Sequence, residues 1–193
     1  IMAIKRYWAT KDNTITNAYE TNLRTRATGS NMGASDILEV FKIYGQASSG
    51  TSAAANELTR ILIQFPITGS GFYAEGTKSI KADRTAGNIP ASGSVNFYLK
   101  LFNAPHSQTT PQDYEIIASA LTKGFDEGTG LDMDGYTDKN NGNPGSDWVS
   151  ASFGVTWTKQ GGDWDHDDSS SLTASFDNRI EDIEINITPI LEQ

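Results

Sequence analysis

Asn31-Met-Gly-Ala-Ser35, then an apolar run through Ile37, Leu38, Val40 and Ile43, then a Gly/Ser/Ala stretch over residues 45–56, then Leu58-Thr-Arg-Ile-Leu-Ile-Gln-Phe-Pro-Ile67: these four pieces follow one another without a break. The first is rich in residues that tolerate a left-handed backbone and reads as a turn. The second alternates in part, which predicts a strand over 37–44 with one buried face. The third is a polar loop. The fourth is apolar on both faces at its centre, which predicts a strand in the middle of a sheet. Pro66 marks its end, because proline cannot donate to a ladder. Turn, strand, loop, strand is the grammar of a β protein.

The same grammar runs outward in both directions. Residues 4–8 read as a short mixed strand, 14–19 alternate at period two, and 23–27 read as an exposed strand. Residues 68–93 form a long connection with a helical piece near 79–83. Strands follow over 95–102, 114–120, 149–157, 172–176 and 180–187, separated by a polar loop over 125–147 and a Gly161-Gly-Asp-Trp164 turn. Thr188-Pro189 reads as a helix start with Thr188 as N-cap. About eight or nine strands and no long amphipathic helix predict an all-β fold, an antiparallel two-sheet jelly-roll sandwich with long loops. No repeat or linker divides the chain, so residues 1–193 read as one domain.

Composition bounds the function. The 193 residues are 37% hydrophobic and include 18 glycines, which suits many turns around a thin core and not a helical bundle. The net charge of -9 repels phosphate backbones, so no nucleic-acid partner is expected; its plain meaning is solubility. There is no cysteine, which removes disulfides, thiolate zinc sites and cysteine nucleophiles. No apolar run approaches the roughly 18 residues of a membrane helix, and Met2-Ala-Ile-Lys-Arg-Tyr-Trp8 is too short and polar for a signal peptide. No membrane partner is expected.

Several short motifs occur in a fixed order: Thr14-Ile15-Thr16, Asn31-Met-Gly-Ala-Ser35, Leu38-Glu-Val40, Arg60-Ile-Leu-Ile-Gln-Phe65, Val95-Asn-Phe-Tyr-Leu-Lys-Leu101, Glu127-Gly-Thr-Gly130, Gly154-Val-Thr-Trp157, Gly161-Gly-Asp163 and Ile185-Asn-Ile-Thr188. The ordered set resembles the DNRLRE-type jelly-roll modules, which are similar in fold to carbohydrate-binding modules, and it spans most of the chain. Two departures stand out. Pro66 replaces the aspartate that follows the phenylalanine in that family, and the family continues past its last helix into closing strands that this sequence lacks. The resemblance implies a non-enzymatic virion structural protein of a tailed phage, of the kind found in marine phages. Such a subunit is displayed on capsid or tail, as a decoration or fibre-type protein, and is assembled in the host cytoplasm. Its partners would be other virion proteins and copies of itself in a homo-oligomer. The alternative is a carbohydrate-binding or host-adhesion module for a cell-surface glycan, stabilised by calcium.

Candidate site residues follow from chemistry. Glu127, Asp132, Asp134 and Asp138 share one Gly-rich loop, and hard cations such as calcium take several oxygen ligands from a bendable loop. The spacing departs from the EF-hand pattern, because Tyr136 stands where an oxygen ligand belongs and no glutamate closes the loop. A solvated acidic loop is the plainer reading. Asp163, Asp165, His166, Asp167 and Asp168 make a second acidic cluster, in which imidazole and carboxylates could share a cation. Trp148 and Trp164 sit in loops and are candidate ligand-binding platforms for sugar rings or anchors for an interface, whereas Trp157 lies in an alternating strand and reads as core. Tyr7, Trp8, Ile187 and Leu191 are the candidate interface residues of the terminal segments. Neither His106 nor His166 lies near a nucleophile elbow, and no carboxylate pair stands out for glycosidic chemistry. No catalytic residue is therefore nominated, no enzyme activity is expected, and calcium is the one cofactor left open.

Overall fold

The computed structural model describes residues 4–44, 56–69, 71–73, 76–105, 114–139, 145–165, 171–176 and 181–192. The described residues are mostly β, in several small antiparallel ladders with two short helices. In chain order these are β1 (Lys11–Thr16), β2 (Lys42–Tyr44), β3 (Asn56–Gln64), α1 (Ile80–Thr85), β4 (Tyr98–Leu101), β5 (Tyr114–Ser119), β6 (Ser150–Ser152), β7 (Val155–Thr156), β8 (Ser171–Phe176), β9 (Ile183–Asn186) and α2 (Thr188–Leu191). They fall into two compact units: Ile1–Ala82 with Lys123–Asp163, and Asp83–Thr122 with Trp164–Gln193.

The first unit is built on β3, which lies between β1 and β2, as its two-faced apolar centre predicts. Its antiparallel register with β1 pairs Asn13 with Leu62, Ile15 with Arg60 and Thr16 with Thr59. Directly opposed residues share a face, so Asn13, Ile15, Arg60 and Leu62 point one way and Thr14, Thr16 and Thr59 the other. Both faces are covered: Asn13, Thr14, Ile15 and Thr16 are all buried. The threonine hydroxyls are buried without penalty because neighbouring backbone groups use them. Thr14 Oγ1 accepts from Glu39 N at 3.0 Å, Thr59 Oγ1 accepts from Phe41 N at 2.6 Å, and the Thr16 hydroxyl donates to Leu58 O. These bonds also explain why the strand expected over 37–44 shrinks to β2. Glu39 and Phe41 spend their N–H groups on side chains, and Ile37 and Val40 are left exposed.

Two interlocks close this unit. In the first, the Asn31 amide is 2% exposed and makes its full set of four hydrogen bonds. Nδ2 donates to Glu127 O at 2.7 Å and Ser146 O at 2.8 Å; Oδ1 accepts from Gly130 N at 2.9 Å and Gly33 N at 3.3 Å. The approach is so close that only glycine fits around it. A Cβ on Gly33 would lie 2.0 Å from Glu127 O, and one on Gly130 1.9 Å from Asn31 O. Asn13 adds Nδ2 bonds to Ser146 O and Oγ and accepts from Met32 N. In the second interlock, the Arg60 guanidinium lies 4.9 Å from the Trp148 ring and donates to Gly161 O at 2.6 Å. Gly161 N returns to Trp148 O at 2.7 Å, and a Gly161 side chain would strike Arg60 Nη1 at 2.3 Å. Trp157 is buried, its Nε1 donating to Asp147 O, and residues 149–157 form the β6–β7 hairpin rather than one strand, turning at Gly154 with φ 73°.

In the second unit β4 pairs with β9 and β5 with β8, each ladder two-stranded among the described residues. The inward positions include Phe176 and Ile185, both buried, and Tyr114 stacks on Phe176 with ring centroids 4.4 Å apart. The final helix begins one residue earlier than its sequence suggests. Ile187 is the N-cap and no side chain caps the helix, because the Thr188 hydroxyl accepts from Phe97 N at 2.8 Å instead. Arg84, Ser92 Oγ and Gly93 N converge on the Glu192 carboxylate and hold it below the usual glutamate range, the Ser92 hydroxyl first. Elsewhere the expected strands over 4–8 and 23–27 are irregular, the latter a turn closed by a Tyr19–Arg26 bridge. The loop expected over 45–56 lies almost wholly outside the described residues.

Asn31→Asp puts a charge against two carbonyls and removes both donors, so unfolding in urea should show a loss of roughly 3 kcal/mol or more. Gly130→Ala should lose about 2–3 kcal/mol, whereas Gly124→Ala, with open space around its Cβ position, should change stability by less than about 0.5 kcal/mol.

Candidate functional site

The acidic loop over 127–138 belongs to the first unit, and the structure gives most of its carboxylates a structural task. Asp132 folds the loop around itself: Oδ1 accepts from Asp134 N at 3.1 Å and Gly135 N at 2.7 Å, and Oδ2 from Thr137 N at 3.0 Å and the Thr137 hydroxyl. These donors, the Thr137 hydroxyl first, hold the Asp132 carboxyl down at about 2. Asp138 Oδ2 accepts from Leu131 N and Asp132 N. Glu127 Oε1 accepts from Asp12 N at 2.8 Å, and burial together with the Glu127 charge raises the Asp12 carboxyl. Among the described residues, no three His, Cys, Asp or Glu side chains converge closely enough to hold a metal ion.

Asp134 is exposed, and its field falls on a group that sequence reasoning passed over. Tyr136 adopts a left-handed backbone with φ 54°, uncommon for a bulky residue, and is 9% exposed against Ala18, Ala27 and Met32. Its hydroxyl donates to Glu39 Oε2 at 2.9 Å. Ser30 Oγ donates to Tyr136 O, and Asn31 N to Asp138 O at 2.8 Å. Burial first, then the charge and hydrogen bond of Glu39, then Glu57 and Asp134, push the phenol far above its ordinary range. Burial and Asp134 also raise the Glu39 carboxyl, against the opposing bond from Tyr136. The sequence held one signal for this arrangement, a tyrosine at a loop position where an oxygen ligand was due.

The other candidates are scattered. Trp148 is 5% exposed, enclosed by Arg60 and Gly161, so its indole is a packed ring and not an open platform. Burial lowers the Arg60 guanidinium that covers it. Trp164 is half-buried in the second unit, bridged to Leu121. Asp163 belongs to the Gly161–Asp163 turn: it accepts from Thr158 N and Lys159 N and pairs with Lys123 Nζ at 2.9 Å, contacts that keep its carboxyl well below the usual range, Lys123 foremost. His166, Asp167, Asp168 and His106 lie outside the described residues. Trp8 is 49% exposed, while Tyr7, Ile187 and Leu191 are half-buried. No helix among the described residues is long and apolar enough to cross a membrane.

Comparison with protein-family models, with curated proteins and with solved structures finds no match for this chain.

The Asp132 carboxyl is lower when folded, at about 2, than its ordinary 3.8, so its contribution is present above about pH 4 and disappears as pH falls toward 2. Asp132→Asn should therefore be less stable than wild type at neutral pH, and the gap between the two unfolding midpoints should close between about pH 4 and pH 2.

Proposed function

We propose that this chain works by assembly and not by catalysis, as a structural subunit of a phage particle whose ladders belong to a two-sheet antiparallel jelly-roll sandwich. The observation that carries the reading is the surface of the second unit. Its ladders are two-stranded among the described residues, and they display Tyr98 at 50% exposure, Ile117 at 62% and, just past β4, Phe102 at 77%. A two-stranded ladder is marginal alone, and an outer strand edge beside exposed apolar side chains is a template for another chain. The β6–β7 hairpin of the first unit adds exposed Phe153 and Val155 on either side of Gly154. The order of sequence motifs resembling virion jelly-roll modules supplies the particle context. Its partners on this reading are copies of itself and other virion proteins, in the assembled virion.

The rival reading, a glycan-binding or adhesion module, loses the Trp148 platform to burial and rests on Trp164. The calcium attached to that reading would have to share Asp132 and Asp138 with the backbone N–H groups already bonded to them.

The intact chain should sediment as an oligomer whose weight-average mass rises with concentration, and Ile117→Lys and Phe102→Ser should each shift it toward monomer without altering its circular dichroism. Wild-type protein that remains monomeric up to its solubility limit would refute self-assembly.

A further inference from the structure

Three carboxylates surround one phenol in the first unit, and among the described residues none of them is ion-paired. Glu39 accepts the Tyr136 hydroxyl at 2.9 Å. Asp134 lies two residues from Tyr136 and acts electrostatically on both Tyr136 and Glu39. The third is Glu57, whose place follows from strand register. Asn17 N donates to Leu58 O and Leu58 N to Asn17 Oδ1, so the next residues outward, Ala18 and Glu57, share a face. Ala18 packs against Tyr136 on that face. Glu57 is 3% exposed; its Oε2 accepts from Tyr19 N at 2.9 Å, and its Oε1 has no hydrogen-bond partner among the described residues.

The nearby cations are committed elsewhere. Arg26 donates to Asn17 O and Asn56 O and stacks on Tyr19 at 4.0 Å. Lys139 pairs with Glu20 at 2.5 Å. Lys42 sits opposite Leu58 and so on the face away from Glu57. Asp132 and Asp138 are occupied by backbone N–H groups. A buried carboxylate oxygen without a donor, beside two more negative charges, destabilises the contact that holds it.

We propose that this cluster is an acid-tightened clasp: uptake of a proton at Glu39 strengthens the docking of the 131–138 loop on the β1–β3 face, and loss of that proton loosens it. The sign follows from burial. Desolvation and Asp134 place the folded Glu39 carboxyl above its ordinary 4.5, so the penalty of a buried charge is in force above the folded value and is lifted as pH falls through it. The clasp therefore gains strength as pH falls through the raised folded value toward 4.5.

The test follows thermal unfolding of the whole chain between about pH 8 and pH 5. Glu39→Gln keeps an acceptor for Tyr136 and removes the charge. It should raise the midpoint near pH 8 by about 2–4 °C and flatten the rise that wild type shows on acidification. Glu115→Gln, an exposed position on β5, makes the same change in net charge and should leave the slope alone. A Glu39→Gln slope parallel to wild type, or a lower midpoint near pH 8, overturns the clasp. Should Glu39→Gln fail to fold, amide exchange in wild type decides. After correction for intrinsic rates, protection across 131–138 must rise on acidification, and unchanged protection overturns the proposal.

Discussion

One side-chain amide organises the first unit. Asn31 donates twice and accepts twice, and its four bonds reach Gly33, Glu127, Gly130 and Ser146. A neutral amide is the only side chain of this size that can give and take in equal measure. The chain segments that meet around it come so close that glycine is required at 33 and 130 for lack of space and at 128 also for its φ of +89°. β1 is fastened to the same centre, because Asn13 shares Ser146 O with Asn31. The acidic loop leaves this centre at Glu127 and returns to it where Asn31 N meets Asp138 O, which sets where Tyr136 can go.

Seen from that centre, the carboxylates divide into two kinds. Asp132, Asp138, Asp147 and Asp163 are turn-makers whose oxygens collect backbone N–H groups, and those donors help hold the Asp132 and Asp163 carboxyls low. Glu39, Glu57 and Asp134 are set around a phenol, and burial and the Asp134 charge raise the Glu39 carboxyl. Asp132 therefore loses its contribution in acid, whereas Glu39 is relieved of a penalty there. The chain's acidity is thus more than a coat for solubility.

Legibility from sequence followed the range of the forces involved. β3 was readable because nine residues carry their own burial pattern, and its central position came true. β5, β8 and β9 were readable for the same reason. The strand expected over 37–44 mostly failed, because the hydroxyls of Thr14 and Thr59 captured its N–H groups, and no local pattern records that capture. The motifs at 31–35, 127–130 and 161–163 were visible as an ordered set, yet nothing in the string said that the first two grip each other or that Arg60 and Trp148 grip the third. Trp148 looked like an exposed loop residue because the guanidinium that covers it comes from Arg60, far away in sequence. The acidic loop was correctly seen as carboxylate-rich, but whether an oxygen faces a cation or an N–H depends on backbone geometry that spacing alone does not supply.

The central amide also has a consequence in time. Asn31 meets Ser146 across 115 positions of chain, and Asn13 meets it across 133. Contacts of such separation form only after the entropy of closing long loops has been met. During synthesis β1 and β3 emerge well before Ser146 exists, and the face that carries Ile15 and Leu62 has no lid until the second half of the unit arrives. An uncovered apolar strand is what chaperones bind and what neighbouring nascent chains adhere to. The residue that makes the finished unit rigid is therefore also the reason its apolar middle must wait.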